Sequence, residues 1–246
     1  MQTFYFSDPG KVRTHNEDSV TILNNDNNEI LLAVADGMGG HKAGEVASGI
    51  AIECLTNEFY KLETFGSKEN AIEWMRNIVI EINKEIFKYT KENPQSKGMG
   101  TTLVLAIKTD DYILYGNIGD SSGYVIKNNT LHKVTRDHTL VNLLVATGEL
   151  TEEEAKHHPR KNVLMRALGA NDPIEIDIFD VDTTVKGLFL CSDGLTNMLT
   201  DEQIEKILNS NLSIEEAVVR LIRKSNSRGG TDNISIAYLK KESGDL

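Results

Sequence analysis

Four acidic residues stand in short turns rich in glycine, serine or threonine, each next to an apolar run of the chain. They are Asp36, Asp120, Asp193 and Asp232. A carboxylate in such a turn is a hard oxygen ligand of the kind that Mg²⁺ and Mn²⁺ prefer. One such acid is more often ordinary turn chemistry. Four of them at strand ends can converge in space, however, and clustered carboxylates repel one another unless cations bridge them. The pattern therefore predicts a site for several divalent cations.

The turn at Asp36 is the most informative of the four. It follows Ile30–Val34, a short continuous apolar run that predicts a buried strand. Three glycines lie within the next four residues, so the backbone can turn sharply and approach an ion closely. The carbonyl of Gly37 could then supply a further oxygen ligand. Two cations that share a carboxylate can activate a water and clamp a phosphoryl oxygen, so the pattern favours phosphoryl chemistry.

A fifth acid, Asp18, ends a polar loop that also contains Arg13. An arginine fork can bind two phosphate oxygens at once. Taken by itself, Arg13 is more simply a solvent-exposed loop residue. Its location in the same loop as Asp18 is what makes it a candidate for phosphate binding.

Composition limits the classes of protein that the chain can belong to. The 246 residues carry a formal net charge of −11 without a basic cluster, which excludes a nucleic-acid-binding surface. No apolar run is long enough to span a membrane, and the N-terminus does not resemble a signal peptide. Cys54 and Cys191 lie far apart in apolar surroundings, as buried thiols do in a reducing compartment. We expect one soluble cytoplasmic domain over residues 1–246.

The order of apolar patterns predicts the architecture. Early strands are followed by two amphipathic helices, a meander of four strands, a polar excursion, more strands, two helices and a last strand. Capping-box sequences begin three helices, at Thr151, Thr200 and Ser213. This order fits an α+β fold, a four-layer αββα sandwich. Two mostly antiparallel β-sheets pack face to face, with a helix pair on each outer face.

The same motifs, taken in order, resemble the metal-dependent Ser/Thr protein phosphatases of the protein phosphatase 2C family, in their compact bacterial form. The resemblance covers nearly the whole chain. It is carried by residues 10–18, 36–40, 100–102, 119–121, 136–138, 192–194 and 230–233.

The resemblance implies two core Mn²⁺ or Mg²⁺ ions. Asp36 would bridge them, with the Gly37 carbonyl on one ion and Asp193 and Asp232 on the other. Asp120, together with Asp193, would bind a third, weaker ion.

The resemblance further implies a mechanism in which a metal-bridging hydroxide attacks phosphorus in line, with no phosphoenzyme. Asp18 would hold or orient metal-bound water, and Arg13 would bind the substrate phosphate. Family members outside the bacteria carry a general-acid histidine where this chain has Met38, which leaves His41 as a weaker candidate. Residues 137–166 would form a flap that shapes substrate access.

Phosphorylated proteins are the implied substrates, and a cognate Ser/Thr kinase is the implied partner. We expect a monomer and a catalytic domain without regulatory or membrane extensions. Two alternatives stay open: a catalytically inactive homologue that binds phosphoproteins, and a hydrolase of small phosphate esters on the same fold. Three other features are interpreted as structural. His157 and His158 are expected on the flap surface, Cys191 is expected in the core rather than as a nucleophile, and Ser122 replaces an arginine that many family members carry.

Overall fold

Two antiparallel sheets form the centre of the fold. The structure is a computed structural model that describes residues 1–40 and 43–241. Its strands are β1 (Gln2–Asp8), β2 (Asp18–Asn24), β3 (Ile30–Met38), β4 (Gly100–Thr101), β5 (Leu103–Lys108), β6 (Ile113–Ile118), β7 (Ser122–Lys127), β8 (Thr130–Lys133), β9 (Asp177–Val181), β10 (Gly187–Cys191) and β11 (Ile234–Lys240). One sheet has the order β1-β11-β10-β7-β8. The other has the order β2-β3-β5-β6-β9, with β4 paired to β3.

The described residues form seven α-helices. They are α1 (Ala43–Phe59), α2 (Lys68–Glu92), α3 (Leu140–Ala146), α4 (Glu152–His157), α5 (Asp193–Thr196), α6 (Asp201–Leu208) and α7 (Ile214–Ser227). Helices α1 and α2 share a buried apolar cluster with the sheet that contains β3. Helices α6 and α7 share another with the sheet that contains β10. A third cluster fills the space between the two sheets. The predicted αββα sandwich is therefore confirmed.

Strand β3 contributes apolar side chains to two of these clusters. Leu31, Ala33 and Ala35 point into the cluster under α1 and α2. The alternate residues Leu32 and Val34 point between the sheets. A strand that is covered on both faces reads as continuously apolar rather than alternating, as this one does.

The capping boxes predicted at Thr151, Thr200 and Ser213 are all present. At α4, Thr151 accepts a hydrogen bond from the Glu154 N–H while the Glu154 carboxylate accepts one from the Thr151 N–H. At α7, Ser213 and Glu216 make the same reciprocal pair. At α6, the Thr200 N–H donates to the Gln203 side chain at 3.3 Å. Each pair satisfies backbone donors that the first helical turn leaves free.

Three boundaries differ from the sequence prediction. Strand β3 continues past Val34 to Met38, so Asp36 and Gly37 lie within the strand and not in a turn after it. The strand expected from Ile174 begins only at Asp177, because its partner β6 pairs no further than Asn117, opposite Asp177. The turn at Asp193 continues into the short helix α5, which the sequence patterns do not predict. Among the described residues, no helix is long and apolar enough to cross a membrane.

Candidate metal centre

The predicted acids lie at or near the ends of strands from both sheets. Asp18 begins β2 and lies directly opposite Asp36 on β3. Asp193 follows the end of β10, and Asp232 precedes β11, which is paired with β10. The sheets pack face to face, so these ends meet at one edge of the sandwich. The structure thus brings together the acids that the sequence places in separate turns.

Asp18 is buried beneath the other acids. Its Oδ2 accepts a hydrogen bond from the Ser192 hydroxyl at 2.7 Å. Its Oδ1 has no hydrogen-bond donor within the described part of the chain. Burial, together with the charges of the nearby Asp193 and Asp232 carboxylates, raises the pKa of Asp18 from 3.8 to about 7, although the hydrogen bond from Ser192 acts in the opposite direction. A buried carboxyl group with an unpaired oxygen is costly unless a proton or a cation compensates it.

Asp36 is the electrostatic centre of the group. Although it keeps some exposed surface, burial raises its pKa well above 3.8, and so do the charges of Asp18, Asp193, Asp120 and Asp232. Coulomb repulsion between carboxylates at short range favours protonation of at least some of them. Asp36 therefore experiences the charges of all four other acids.

Asp193 and Asp120 complete this cluster. Burial, followed by the charge of Asp232, raises the pKa of Asp193. The Oδ2 of Asp193 accepts a hydrogen bond from the Asn197 amide at 3.0 Å, whereas its Oδ1 has no partner among the described residues. Burial, together with the charges of Asp193 and Asp137, raises the pKa of Asp120 to about 7.

The backbone around Asp36 is held by threonines and by a glycine contact. The Asp36 N–H donates to the Thr102 hydroxyl at 3.0 Å, and the Asp36 carbonyl accepts from the Thr102 N–H at 2.9 Å. A Cβ at Gly37 would lie 2.1 Å from the Gly44 carbonyl oxygen and 2.5 Å from that of Glu17. Only glycine fits there, so the chain passes close to α1 directly after the central acid.

Asp232 and its neighbour Asn233 tie the Arg13 loop to the last strand. The Arg13 guanidinium donates to Asp232 Oδ2 at 2.8 Å. The Asn233 amide donates to the carbonyls of Pro9 and His15, and its oxygen accepts from the Glu17 N–H at 2.8 Å. Asn233 therefore fixes the loop that carries Arg13 and leads into Asp18. In the sequence Asn233 directly follows the predicted ligand Asp232, and this adjacency is the signal that points to it.

The residues fit divalent cations by their chemistry, although the ligand set is not preassembled. Among the described residues, no group of three or more His, Cys, Asp or Glu side chains is already arranged to hold a metal ion. Two observations favour a cation all the same. Buried oxygens of Asp18 and Asp193 lack a donor, and several acids with raised pKa values are clustered. Oxygen-only donors suit Mg²⁺ or Mn²⁺ rather than Zn²⁺.

His138 links the turn of Asp120 to the excursion 137–166. The Nδ1 of His138 accepts a hydrogen bond from the Gly119 N–H at 3.1 Å, and the backbone N–H of His138 donates to the Gly119 carbonyl at 2.9 Å. Its Nε2 lies 3.2 Å from the Asp177 carboxylate, which also binds Arg166 at 2.6 Å. These contacts place the neutral tautomer with its proton on Nε2, and burial lowers the pKa of His138. The sequence prediction gave this histidine no role.

The two ends of the excursion are joined by a short ladder, which we call the flap neck (residues 138–140 and 163–165). The Met165 N–H donates to the His138 carbonyl, and the Leu140 N–H donates to the Val163 carbonyl, both at 2.8 Å. Just beyond the neck, Leu168 pairs with Thr101, whose hydroxyl donates to the Asp36 carbonyl at 3.0 Å. The neck is therefore bonded to the backbone beside Asp120, and the chain just beyond it pairs with the strand beside Asp36.

A cleft of about 980 Å³ opens between the excursion and the acids. Asp120 and Asp193 line one end of it, and residues of α3, α4 and the flap neck line the rest. Clefts of this size accept ligands much larger than a phosphate group.

Comparison with known proteins places this arrangement in a family. Residues 11–233 match the family model described as protein phosphatase 2C. The chain belongs to the protein phosphatase 2C family. The match runs from the Arg13 loop to Asn233 and so includes every predicted site residue. The resemblance predicted from the motifs is confirmed.

Relatives of this family match over almost their full length. The serine/threonine phosphatase stp of Listeria welshimeri is 43% identical over 98% of this chain and 96% of its own. The protein phosphatase PhpP of Streptococcus pneumoniae is 34% identical over 100% and 99%. The crystal structure of the serine/threonine phosphatase Stp1 from Staphylococcus aureus matches with a TM-score of 0.92 at 36% identity, covering 98% of this chain and 95% of that one. This chain is therefore an enzyme of the protein phosphatase class.

The structure describes two of the positions at which this chain departs from the family pattern, Met38 and Ser122. Met38 pairs with Gly100, and a Cβ at Gly100 would lie 2.8 Å from the Met38 methyl group, so Met38 packs over β4. A thioether has no proton to donate. His41, the weaker general-acid candidate, lies outside the described residues. Ser122 is buried opposite Cys191, so the arginine it replaces would stand in the core.

The residues interpreted as structural are placed accordingly. Cys191 is fully buried at the end of β10, and burial raises the pKa of its thiol. A buried, protonated thiol is a poor nucleophile. His157 is exposed on α4 with Glu153 3.5 Å away, and His158 is half-buried after the helix end. These two adjacent histidines therefore lie on the outer part of the excursion, as predicted.

Proposed function

We propose that this protein hydrolyses phosphoserine and phosphothreonine on other proteins in a reaction that depends on Mn²⁺ or Mg²⁺. The relatives named serine/threonine phosphatase support the substrate class, because they match across the whole chain. The observation that carries the metal dependence is the cluster of buried acids with raised pKa values and unpaired oxygens.

The chain would divide the work among the clustered residues. Asp36, the Gly37 carbonyl, Asp193 and Asp232 would hold two core cations, and Asp120 with Asp193 would hold a third. Bound cations would supply a water that is nucleophilic at neutral pH and charge that stabilises the phosphoryl oxygens during in-line attack. Asp18, hydrogen-bonded to Ser192, would orient water at the core site.

Arg13 would bind the substrate phosphate. Its side chain is half exposed and its Nη2 is held by Asp232, so the guanidinium already stands at the edge of the acid cluster. The remaining donors of the fork can reach a phosphate that approaches from solvent. His41 stays the sequence-based candidate for protonating the leaving oxygen.

The test is release of phosphate from a phosphothreonine peptide with chelator, with Mn²⁺ and with Mg²⁺. We expect release only with a divalent cation, and a loss of at least about a hundredfold in Asp193→Asn, in line with removal of a main electrostatic group from an active site. Asp26→Asn is the matched control, because Asp26 is an exposed acid in the turn between β2 and β3. Calorimetric titration with Mn²⁺ gives a readout that does not depend on activity.

The outcomes separate the proposal from its two alternatives. Cation binding by calorimetry without hydrolysis of any phosphate ester would overturn it in favour of an inactive binding homologue. Hydrolysis of p-nitrophenyl phosphate without hydrolysis of any phosphopeptide would overturn it in favour of a small-ester hydrolase. Equal release by the wild type and Asp193→Asn would contradict the assigned ligands.

The remaining sequence-based expectations belong to this proposal. We propose a single catalytic domain over residues 1–246 that acts in the cytoplasm as a monomer, opposing a Ser/Thr kinase of the same cell. Residues 137–166 would act as its flap. Sedimentation velocity at micromolar concentration checks the monomer, and deletion of the kinase gene, with phosphopeptide mapping, checks the partner.

A further inference from the structure

Helix α3 is an apolar helix that the fold does not bury. Six of its seven residues are Leu, Val or Ala, yet only Val141 is buried. Leu143 is 48% exposed, and the neck residue Met165 is 46% exposed. Apolar side chains that remain exposed together, beside a cleft, are typical of a binding surface.

This apolar surface forms one wall of the cleft that ends at the acids. Val141, Leu143, Val145, Ala146 and Met165 line the cleft, and Asp120 and Asp193 line its other end. We call these five residues the flap wall. A phosphate at the acids occupies only part of about 980 Å³, so the cleft leaves room for a peptide that flanks the phosphorylated residue to contact the flap wall.

Three of the five Lys and Arg side chains that line the cleft are already paired with carboxylates. Lys133 is paired with Asp137 at 2.7 Å, Arg166 with Asp177 at 2.6 Å, and Lys156 with Glu153 at 2.8 Å. These cations are already compensated by neighbours. Arg136 and Lys161 are exposed, line the cleft, and have no carboxylate partner among the described residues, which suits attraction of the phosphate itself.

We propose that the flap wall binds a large apolar side chain that lies within a few residues of the phosphorylated residue in the substrate. The proposal rests on the proposed function and adds a sequence preference to it. Covering exposed Leu and Met side chains with another apolar group removes both surfaces from water, which is the main source of affinity in such pockets. The preference is therefore for Leu, Met or Phe over a polar residue near the phosphothreonine.

The experiment compares phosphothreonine peptides that differ only in one flanking position, Leu or Ser, scanned from four residues before to four after the phosphothreonine. We expect kcat/KM to be roughly tenfold or more higher for the Leu peptide at the best position, the usual range for apolar discrimination in a pocket. The Leu143→Ser/Met165→Ser double variant should reduce that ratio to near one. Ile80→Ser is the control, because Ile80 is 42% exposed on α2 and does not line the cleft.

Binding and hydrolysis are measured on the same peptides, so that the two proposals fail separately. Equal kcat/KM and equal affinity for the Leu and Ser peptides would overturn the flap-wall proposal, and so would a preference that survives in the double variant. Tighter binding of the Leu peptide, measured by fluorescence polarisation, without any hydrolysis would support the flap wall and overturn the proposed function. Loss of the preference in Ile80→Ser would also overturn the assignment, because the effect would then not be local.

Discussion

Replacing Asp18 by Asn should raise the free energy of unfolding in the absence of metal and reduce the stabilisation that a bound metal provides. The change from 3.8 to about 7 in the pKa of Asp18 corresponds to about 4 kcal/mol of cost for the charged form, at about 1.4 kcal/mol per tenfold change in proton binding. An Asn keeps an acceptor for the Ser192 hydroxyl and carries no charge, but burying its amide costs about 1–3 kcal/mol if it finds no acceptor. We therefore expect a net gain of about 1–3 kcal/mol above pH 7 in chelator.

The gain should depend on pH in a defined way. The folded protein keeps the proton on Asp18 up to about pH 7, whereas the unfolded chain releases it near pH 3.8. The contribution of Asp18 to the free energy of unfolding of the wild type is therefore fully present below pH 3.8 and is lost as the pH rises through about 7. The advantage of Asp18→Asn should appear across this window and be nearly absent at pH 4.

The assay is thermal unfolding at pH 4 to 8 in chelator, where 1 kcal/mol is worth about 2–4 °C for a chain of this size. Mn²⁺ at a hundredfold excess over its dissociation constant should add about 2.7 kcal/mol to the wild type and distinctly less to the variant. Asp26→Asn should behave as the wild type in both conditions. An Asp18→Asn protein that is less stable than the wild type in chelator at pH 8 would refute the electrostatic reasoning.

Three further changes test the packing around the acids. Gly194→Ala would place a Cβ 1.9 Å from the Asn233 carbonyl oxygen, so urea unfolding should show a loss of about 1–3 kcal/mol or more, and an unchanged midpoint would contradict the contact. His138→Ala leaves the buried Gly119 N–H without its acceptor and should cost about 1–3 kcal/mol; calorimetry should also show weaker binding of Mn²⁺, whereas His158→Ala should not. Cys191→Ala should keep at least half of wild-type phosphate release despite a cavity cost of about 1–2 kcal/mol, and abolished release in a folded variant would restore the thiol as a nucleophile.

The layer order of the fold could be predicted because each layer leaves its own period in the sequence. Strand β3 is continuously apolar because it is covered on both faces, and the helix stripes begin at recognisable caps. The short helix α5 could not be predicted, since four residues are too few to show a helical period. The late start of β9 depends on where β6 stops pairing, which is a tertiary property.

The acids of the site could be predicted for a similar reason. Each lies next to an apolar run, so its position along the chain fixes its position near a sheet edge, although Asp36 lies within β3 and not in the turn after it. The residues that hold them are harder to find from the sequence. Asn233 clamps a loop that is more than 200 positions away in the chain, and the contact of His138 with Gly119 depends on how the excursion returns. Neither distance leaves a period or a spacing that a single sequence can show.

The flap neck has a consequence for how such an enzyme can change its substrates over evolutionary time. Because residues 138–140 and 163–165 bond to each other and to the backbone beside Asp120, the chain enters and leaves the excursion at nearly the same point. The segment between them can lengthen, shorten or change its side chains without displacing the acids. Under the flap-wall proposal, substrate choice and chemistry are carried by separate parts of one chain. Insertions and point substitutions between 141 and 162 can alter which proteins are dephosphorylated while the reaction itself is inherited intact.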